Sequence, residues 1–249
     1  MTELKTFLPP TLELVFISTV LAVLIGIPLG LISAQKKDKP LDHASRFFSV
    51  GAVSLPMFWI GMFAQLIFFR WLDILPLGGQ LDVMTRILYD VPDKTGFLLF
   101  DCLITGNFVV LKDAIRHIIL PATIVALYPI GLVARMTRSA LVEILTEDYI
   151  KAARSYGIKE RVVLWSYALK NSLGTTITVL ALSIGYALVS TFLVEAIFSW
   201  PGIGTYISTA VITLDYPAIM GVTLVSAFSY VILNLVADLI IASDPRVRE

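Results

Sequence analysis

The sequence is poor in the residue types that build catalytic and metal sites. It contains one cysteine, Cys102, so neither a disulfide nor a cysteine metal site can form within the chain. The two histidines, His43 and His117, lie far apart, and neither H-E-x-x-H nor the phosphate-binding G-x-x-x-x-G-K-[ST] occurs. We therefore expect no catalytic, cofactor-binding or metal site on this chain, and no enzyme.

Charge is also scarce. Charged residues make up 15% of the 249 residues, against about 25% in an ordinary soluble domain, and the 19 basic side chains equal the 19 acidic ones. A net charge of zero excludes a basic nucleic-acid-binding protein and an acidic disordered tail.

Apolar residues are abundant, at 57% of the chain, and they fall in long uninterrupted runs. A helix that crosses a bilayer needs roughly 20 mostly apolar residues. The sequence therefore predicts an all-α integral membrane protein with one domain over residues 1–249. Five spans are predicted, at about 11–32, 47–71, 118–136, 174–197 and 218–242.

Basic residues predict the orientation, because positively charged loops stay in the cytoplasm. The 33–46 loop, the 134–173 loop and the C-terminal tail, with Arg246 and Arg248, hold 13 lysines and arginines, whereas the other side holds six. We predict a multi-pass protein of the cell membrane with a cytoplasmic C-terminus and a cytoplasmic segment at 137–173.

The segment 72–117 is predicted to lie outside. Within it, Gly96–Leu111 is largely apolar but contains Asp101, Gly106 and Asn107, so we predict an external or interfacial helix and not a further span. The segment is either the docking surface for an external partner or a lid over the bundle. Its aspartates are Asp73, Asp82, Asp90, Asp93, Asp101 and Asp113.

The cytoplasmic segment reads as two helices joined by a glycine turn. Thr146 is the predicted N-cap of the first helix, because its hydroxyl can accept a hydrogen bond from a backbone amide of the first turn. Glu147 and Asp148 follow in that turn, where the positive end of the helix dipole stabilises acidic side chains. Gly157 occupies the position of a left-handed C′ residue.

A second helix is predicted over Lys159–Asn171, with Val162, Trp165 and Leu169 on one apolar side.

Ala152 and Ala153 give the first of these helices a small-residue surface, with Lys151 and Arg154 at its rim. Such a helix can dock in a groove of a partner protein. The pattern alone favours the more common alternative, a solvated amphipathic elbow or a basic surface on anionic lipid.

The run KAARSYG at 151–157 resembles the EAA motif, E-A-A-x-x-x-G, of permease subunits in ABC importers. Lys151 replaces the glutamate and a later proline is missing, and both departures are typical of the peptide/nickel branch of that family. Further stretches resemble the branch over nearly the whole chain: LPPTLEL at 8–14, SLPMFWIG at 54–61, LPLGG at 75–79, ILPA at 119–122, ARMTRS at 134–139, VEAIFSWPGIG at 194–204, DYP at 215–217 and DPRVR at 244–248.

The resemblance implies the type I ABC importer permease fold. It implies a homologous second permease subunit, two ATP-binding subunits that hold ATP and Mg, and an extracytoplasmic substrate-binding protein. The expected cargo is di- or oligopeptides, with nickel or an oligosaccharide as alternatives. The segment that would couple to the ATPase comprises Glu147, Asp148, Tyr149, Lys151, Ala152, Ala153, Arg154 and Gly157.

Members of this branch usually begin with one more transmembrane helix. Its absence from this sequence indicates either a misplaced start or a five-span form. One alternative function is a secondary transporter or channel, but the spans contain few ionisable residues to couple ions to transport. The other is an intramembrane hydrolase with Ser183 as its nucleophile, but no histidine lies in a span to act as its base.

Several residues of the spans have two interpretations. Pro56 and Pro129 interrupt helical hydrogen bonding and are either hinges or static kinks. Gly26 and Gly30 have the spacing that lets helices approach. The last span carries a polar stripe, which either lines the translocation path or binds neighbouring helices. Glu195 is either an ionised group near the outer end of the fourth span or a residue that orients a structural turn. The stripe comprises Ser226, Tyr230, Asn234 and Asp238, and the turn comprises Trp200, Pro201 and Gly202.

Overall fold

The computed structural model describes residues 2–243, in which every regular element is a helix. Arg246 and Arg248 of the predicted tail, the DPRVR stretch and the side chain of Asp238 lie outside the described parts. The helices are α1 (Thr2–Leu21), α2 (Ile27–Gln35), α3 (Pro40–Ser54), α4 (Met57–Gln65), α5 (Val83–Leu88), α6 (Leu98–Thr105), α7 (Phe108–Ile144), α8 (Asp148–Ser155), α9 (Glu160–Val162), α10 (Lys170–Ile197), α11 (Ile203–Ile212) and α12 (Tyr216–Ser243), with π-helical turns at Ala22–Gly26, Leu66–Trp71 and Val163–Leu169.

Four of the five predicted spans lie in helical segments, and the other, 47–71, is broken at Leu55 and Pro56. Within residues 2–243, the helices Lys5–Gln35, Phe108–Ile144 and Glu160–Leu188 are long and apolar enough to cross a membrane. The α3–α4 pair passes the same test only as a bent pair, and Tyr216–Ile232 of α12 is a shorter apolar helix. The first, third and fourth spans therefore belong to helices longer than the sequence predicts.

The predicted span 47–71 is not one straight helix. It consists of two helices, α3 and α4, with a break at Leu55 and Pro56 between them. Pro56 has an extended ψ of 125°, and its carbonyl accepts from the amides of Trp59 and Ile60 at 3.1 and 3.2 Å. Proline disfavours the helical conformation of the residue before it, so α3 ends at Ser54 and a new helix begins after Pro56. Pro129, in contrast, lies within the uninterrupted α7.

The described residues form two compact units. One comprises the chain up to Ser18, Leu55–Ala126 and Tyr186–Tyr230; the other comprises Thr19–Ser54, Leu127–Gly185 and the residues from Val231 onward.

In the second unit, α2 packs against α7 at backbone distance. A Cβ atom on Gly30 would lie 2.7 Å from the carbonyl oxygen of Ala134, and one on Gly26 would lie 2.9 Å from Cγ1 of Val133. The close approach that the Gly26–Gly30 spacing predicts is thus confirmed.

In the first unit, the predicted helix over Gly96–Leu111 is wrong, because the segment forms the end of one helix and the start of another. α6 ends at Thr105 and is followed by Gly106, whose φ of 69° suits glycine. At the start of α7, the Asn107 side chain accepts from the Val110 amide at 3.3 Å. Apolar residues around Cys102 bury this corner: Leu81, Leu98, Val110 and Ala114.

Asp101 is fully buried in this corner and is not a docking residue. Its carboxylate accepts from the amides of Lys94 and Thr95, both at 2.9 Å, from the Thr95 hydroxyl at 2.7 Å and from the Gly96 amide at 3.2 Å. Burial alone raises the pKa of Asp101, but these hydrogen bonds outweigh it and lower the pKa below its usual range. The ionised carboxylate therefore holds the 94–96 loop onto α6.

We expect Asp101→Ala to open this corner, because three amides and a hydroxyl lose their acceptor. A cost of about 2 kcal/mol, typical of buried groups left unsatisfied, corresponds to a roughly 30-fold larger open population. The readout is the rate at which a maleimide labels Cys102, which is 0% exposed in the folded protein. Asp93→Ala, at an exposed carboxylate of the same loop, is the control; equal labelling rates for the two variants would contradict the role given to Asp101.

Candidate functional site

The segment that the sequence assigns to ATPase coupling folds as a short helix, α8, between two turns. Its N-cap is Glu147, with ψ of 149° and no side-chain capping bond. The predicted cap at Thr146 is wrong: this hydroxyl donates instead to the Glu143 carbonyl at 2.6 Å, at the end of α7. Asp148 lies in the first turn as predicted, and its hydrogen bond from Lys151, 2.8 Å long, lowers its pKa.

Gly157 ends α8 in a left-handed conformation, with φ of 75°, which confirms the predicted C′ position. Its amide donates to the Arg154 carbonyl at 3.0 Å, and the Ile158 amide donates to the Ala153 carbonyl at 3.2 Å. These two bonds form a Schellman motif. A Cβ atom at Gly157 would have open space around it, so the need for glycine lies in the backbone conformation alone.

One face of α8 is buried within the second unit. Ile150 and Ala153, three positions apart and hence on one side of the helix, are 0% and 5% exposed. Ala153 is therefore not part of an open small-residue surface, contrary to the sequence prediction, whereas Ala152 is exposed. The buried cluster around them, called here the coupling core, also contains Leu31, Ala34, Leu141, Val163, Ala168 and Leu169.

The second helix of the segment differs from the prediction in two ways. It does not end near Asn171, because α9, the π-helical turn Val163–Leu169 and α10 form one continuous rod. Its buried side is Val163, Leu164, Ala168 and Leu169, whereas the predicted side residues Val162 and Trp165 are exposed. The π turn explains the difference, because it widens the helix and changes which residues share a face.

The open face of α8 combines aromatic and paired charged groups. Arg154 binds both carboxylate oxygens of Glu160, at 3.1 and 2.7 Å, which raises the pKa of Arg154, and the Tyr149 hydroxyl accepts from the Asn171 side chain at 3.0 Å. Tyr156 is 85% exposed. The arrangement is a helix fixed by one face to the chain and open on the other.

The predicted structural turn lies in the first unit and is held by buried groups. Glu195 is fully buried; one carboxylate oxygen accepts from the Gly204 amide at 2.6 Å, and the Thr11 hydroxyl also hydrogen-bonds to the carboxylate. A Cβ atom on Gly202 would collide with both the Glu195 carboxylate and the Thr11 hydroxyl. The turn is completed by Trp200, whose indole donates to the Pro10 carbonyl at 3.0 Å, and by Pro201.

Part of the predicted polar stripe lines a cavity of about 470 Å³ in the first unit. Tyr230 and Ser226 line it together with Thr11, Thr191 and Thr223, and the rest of the wall is largely apolar. Asn234, one turn further along α12, has a buried side-chain oxygen without a hydrogen-bond partner among the described residues. Two of the four residues of the predicted stripe, Ser226 and Tyr230, therefore lie at the wall of this cavity.

Sequence reasoning missed a buried ion pair near the coupling core. Arg138 binds Asp42 through two hydrogen bonds of 2.6 and 2.7 Å, and Ser33 donates to the same carboxylate at 2.6 Å. The sequence shows only that Asp42 lies in the lysine-rich 33–46 loop, and this does not indicate Arg138, 96 positions away, as its partner.

Comparison with known proteins identifies the family. The profile described as binding-protein-dependent transport system inner membrane component matches residues 26–249. The probable D,D-dipeptide transport system permease protein DdpB of Escherichia coli K12 is 44% identical over 247 residues, which cover 98% of this chain and 72% of that protein.

Two further relatives have similar coverage. The di/tripeptide permease DppB of Pseudomonas aeruginosa is 38% identical over 247 residues, 99% of this chain and 72% of that protein. The dipeptide permease DppB of Alkalihalophilus pseudofirmus is 38% identical over 249 residues, 100% of this chain and 74% of that protein. The chain therefore belongs to the family of binding-protein-dependent inner-membrane transport components, which have the type I ABC importer permease fold.

Proposed function

We propose that this chain is a permease subunit of an ATP-driven importer of di- and oligopeptides, and that it forms half of the translocation path with a homologous second permease subunit. The relatives named for dipeptide or di/tripeptide transport, at 38–44% identity over nearly the whole chain, support this cargo. A nickel or oligosaccharide importer would use the same fold, but these names favour peptides.

The family works with an ATPase and a substrate-binding protein. We assign two ATP-binding subunits to the cytoplasmic side, where they hold ATP and Mg, and no ATPase site to this chain. The binding protein would dock outside, on the 72–117 segment, and the C-terminus would lie in the cytoplasm.

The observation that carries the coupling role is the two-sided environment of α8. Ile150 and Ala153 fix the helix to the coupling core, so a force on its open face acts on the core as well. The open face offers Asp148, Tyr149, Lys151, Ala152 and Arg154 to a groove, and Glu147 and Gly157 define its two ends. A helix that is anchored and exposed in this way suits helix-in-groove recognition.

For the path, we assign Tyr230 and Asn234 of α12 to its lining, and we assign Glu195, Trp200, Pro201 and Gly202 to a structural turn. The cavity beside Tyr230 and the buried contacts of Glu195 support this division. Pro56 is the better hinge candidate than Pro129, because only Pro56 lies at a break between helices.

We expect a photo-crosslinker attached to Ala152→Cys to reach the cytoplasmic ATPase in the assembled importer, because Ala152 lies on the open face of α8. Ala153→Cys, one residue away but 5% exposed, is the matched control and should give less than about a tenth of that product. The native Cys102 is fully buried and should remain unlabelled in both.

Equal crosslinking from both positions, or none from Ala152→Cys, would contradict the coupling role of α8. Peptide uptake that continues unchanged without the ATPase would contradict the proposed function as a whole.

A further inference from the structure

Asp42 and Arg138 form the buried ion pair of the second unit. Arg138 Nε lies 2.6 Å from one carboxylate oxygen of Asp42 and Nη2 lies 2.7 Å from the other, so the contact is bidentate. The Asp42 side chain is 0% exposed and the Arg138 side chain 18% exposed. A planar guanidinium held through two parallel bonds fixes orientation as well as distance.

The Asp42 carboxylate also binds the end of α2 and the turn that follows it. The Ser33 hydroxyl donates at 2.6 Å and the Asp38 amide donates at 2.9 Å. Arg46 approaches only to 3.6 Å and is 44% exposed, so it is a peripheral partner. One carboxylate thus joins α2, the 36–39 turn, the start of α3 and α7.

These bonds lie next to the coupling core in sequence and structure. Arg138 precedes the core residue Leu141 by one turn of α7, and Ser33 lies between the core residues Leu31 and Ala34 of α2. Ile150 and Ala153 of α8 pack in that same core. The ion pair therefore holds together α2 and α7, two of the three elements that form the coupling core around α8; the third is the Val163–Leu169 turn.

Stability alone is a weak explanation for such a pair, because well-packed apolar residues of similar volume often stabilise a buried site as well or better. What the pair provides is a fixed geometry between helices. The close contact of Gly30 with Ala134 brings the helices together, and the directed bonds between Arg138 and Asp42 oppose sliding of α2 along α7.

We propose that Asp42 and Arg138 are positioning residues for energy coupling: they lock α2 and α7 together so that a displacement of α8 moves both helices as one body. The inference rests on the proposed function. It predicts that loss of the pair separates ATP hydrolysis from transport instead of merely lowering the amount of folded protein.

The test uses the whole importer in proteoliposomes and measures ATP hydrolysed per peptide taken up. The decisive variant is the double substitution Asp42→Asn with Arg138→Gln, because removing both charges avoids the lone buried charge that makes single variants unstable. We expect the assembled complex and its ATPase rate to stay within about twofold of wild type, while ATP consumed per peptide rises at least about tenfold. Arg46→Gln, at the peripheral arginine, should leave the ratio within about twofold.

A double variant with the wild-type ratio would overturn the proposal, since the pair would then serve stability alone. If the double variant does not assemble, Arg138→Lys decides, because it keeps the charge but loses the bidentate geometry: a raised ratio supports the proposal and a wild-type ratio overturns it. A wild-type complex that shows no ATP-dependent peptide uptake refutes the proposed function itself, independently of these variants.

Discussion

Gly30→Leu is expected to prevent assembly of the importer. A Cβ atom at this position would lie 2.7 Å from the Ala134 carbonyl oxygen and 3.1 Å from the Arg138 amide nitrogen, and both are backbone atoms that no rotamer change can move. The helices must separate, which costs about 3 kcal/mol or more and also lengthens the Asp42–Arg138 contact. The amount of protein in the membrane and its thermal unfolding midpoint in detergent measure the effect.

Gly51→Leu is the matched control for this prediction. Gly51 lies in α3 of the same unit, and nothing comes within 4 Å of a Cβ atom there. Leucine is about 1 kcal/mol better than glycine in a helix interior, so this variant should be as stable as wild type or more stable. Equal losses at the two positions would show that the α2–α7 contact is not the reason.

Glu195→Ala is expected to have the second largest effect. The substitution removes the acceptor of the Gly204 amide and the partner of the Thr11 hydroxyl, each buried, at about 1–3 kcal/mol per group. It also leaves a void beside Gly202. The expected result is a lower unfolding midpoint and faster proteolysis near the 199–204 turn.

Glu195→Gln separates the structural role of this residue from a role in the path. Glutamine keeps an oxygen for the Gly204 amide, and its amide group would take the place of the oxygen that has no partner among the described residues. We expect near-normal stability and peptide uptake. A stable Glu195→Gln variant that fails to transport would instead assign the charge itself to transport.

The features that the sequence predicted are those that depend on neighbouring residues. Gly157 was predictable because a helix that ends in a left-handed residue selects glycine locally. The interruption predicted for Pro56 is confirmed, whereas Pro129, for which the sequence predicts the same, lies within the continuous α7. The close contact at Gly26 and Gly30 follows from their spacing, although the partner helix did not.

The features that it missed depend on distant contacts or leave no mark in composition. The buried side of α8 is set by residues of α2, α7 and the 163–169 turn, so Ala152 and Ala153 look equivalent in sequence. Asp42 and Arg138 are paired only by the fold. A π turn needs no special residue, so the sequence pattern predicts the apolar side of the second helix with the wrong period.

The π-helical turn at Val163–Leu169 has a consequence for the continuous helix that runs from Glu160 to Leu188. A residue inserted in an α-helix rotates everything beyond it by about 100° around the axis. Side chains beyond the turn therefore point about 100° away from the directions that an uninterrupted α-helix would give them, so this turn sets which face α10 presents.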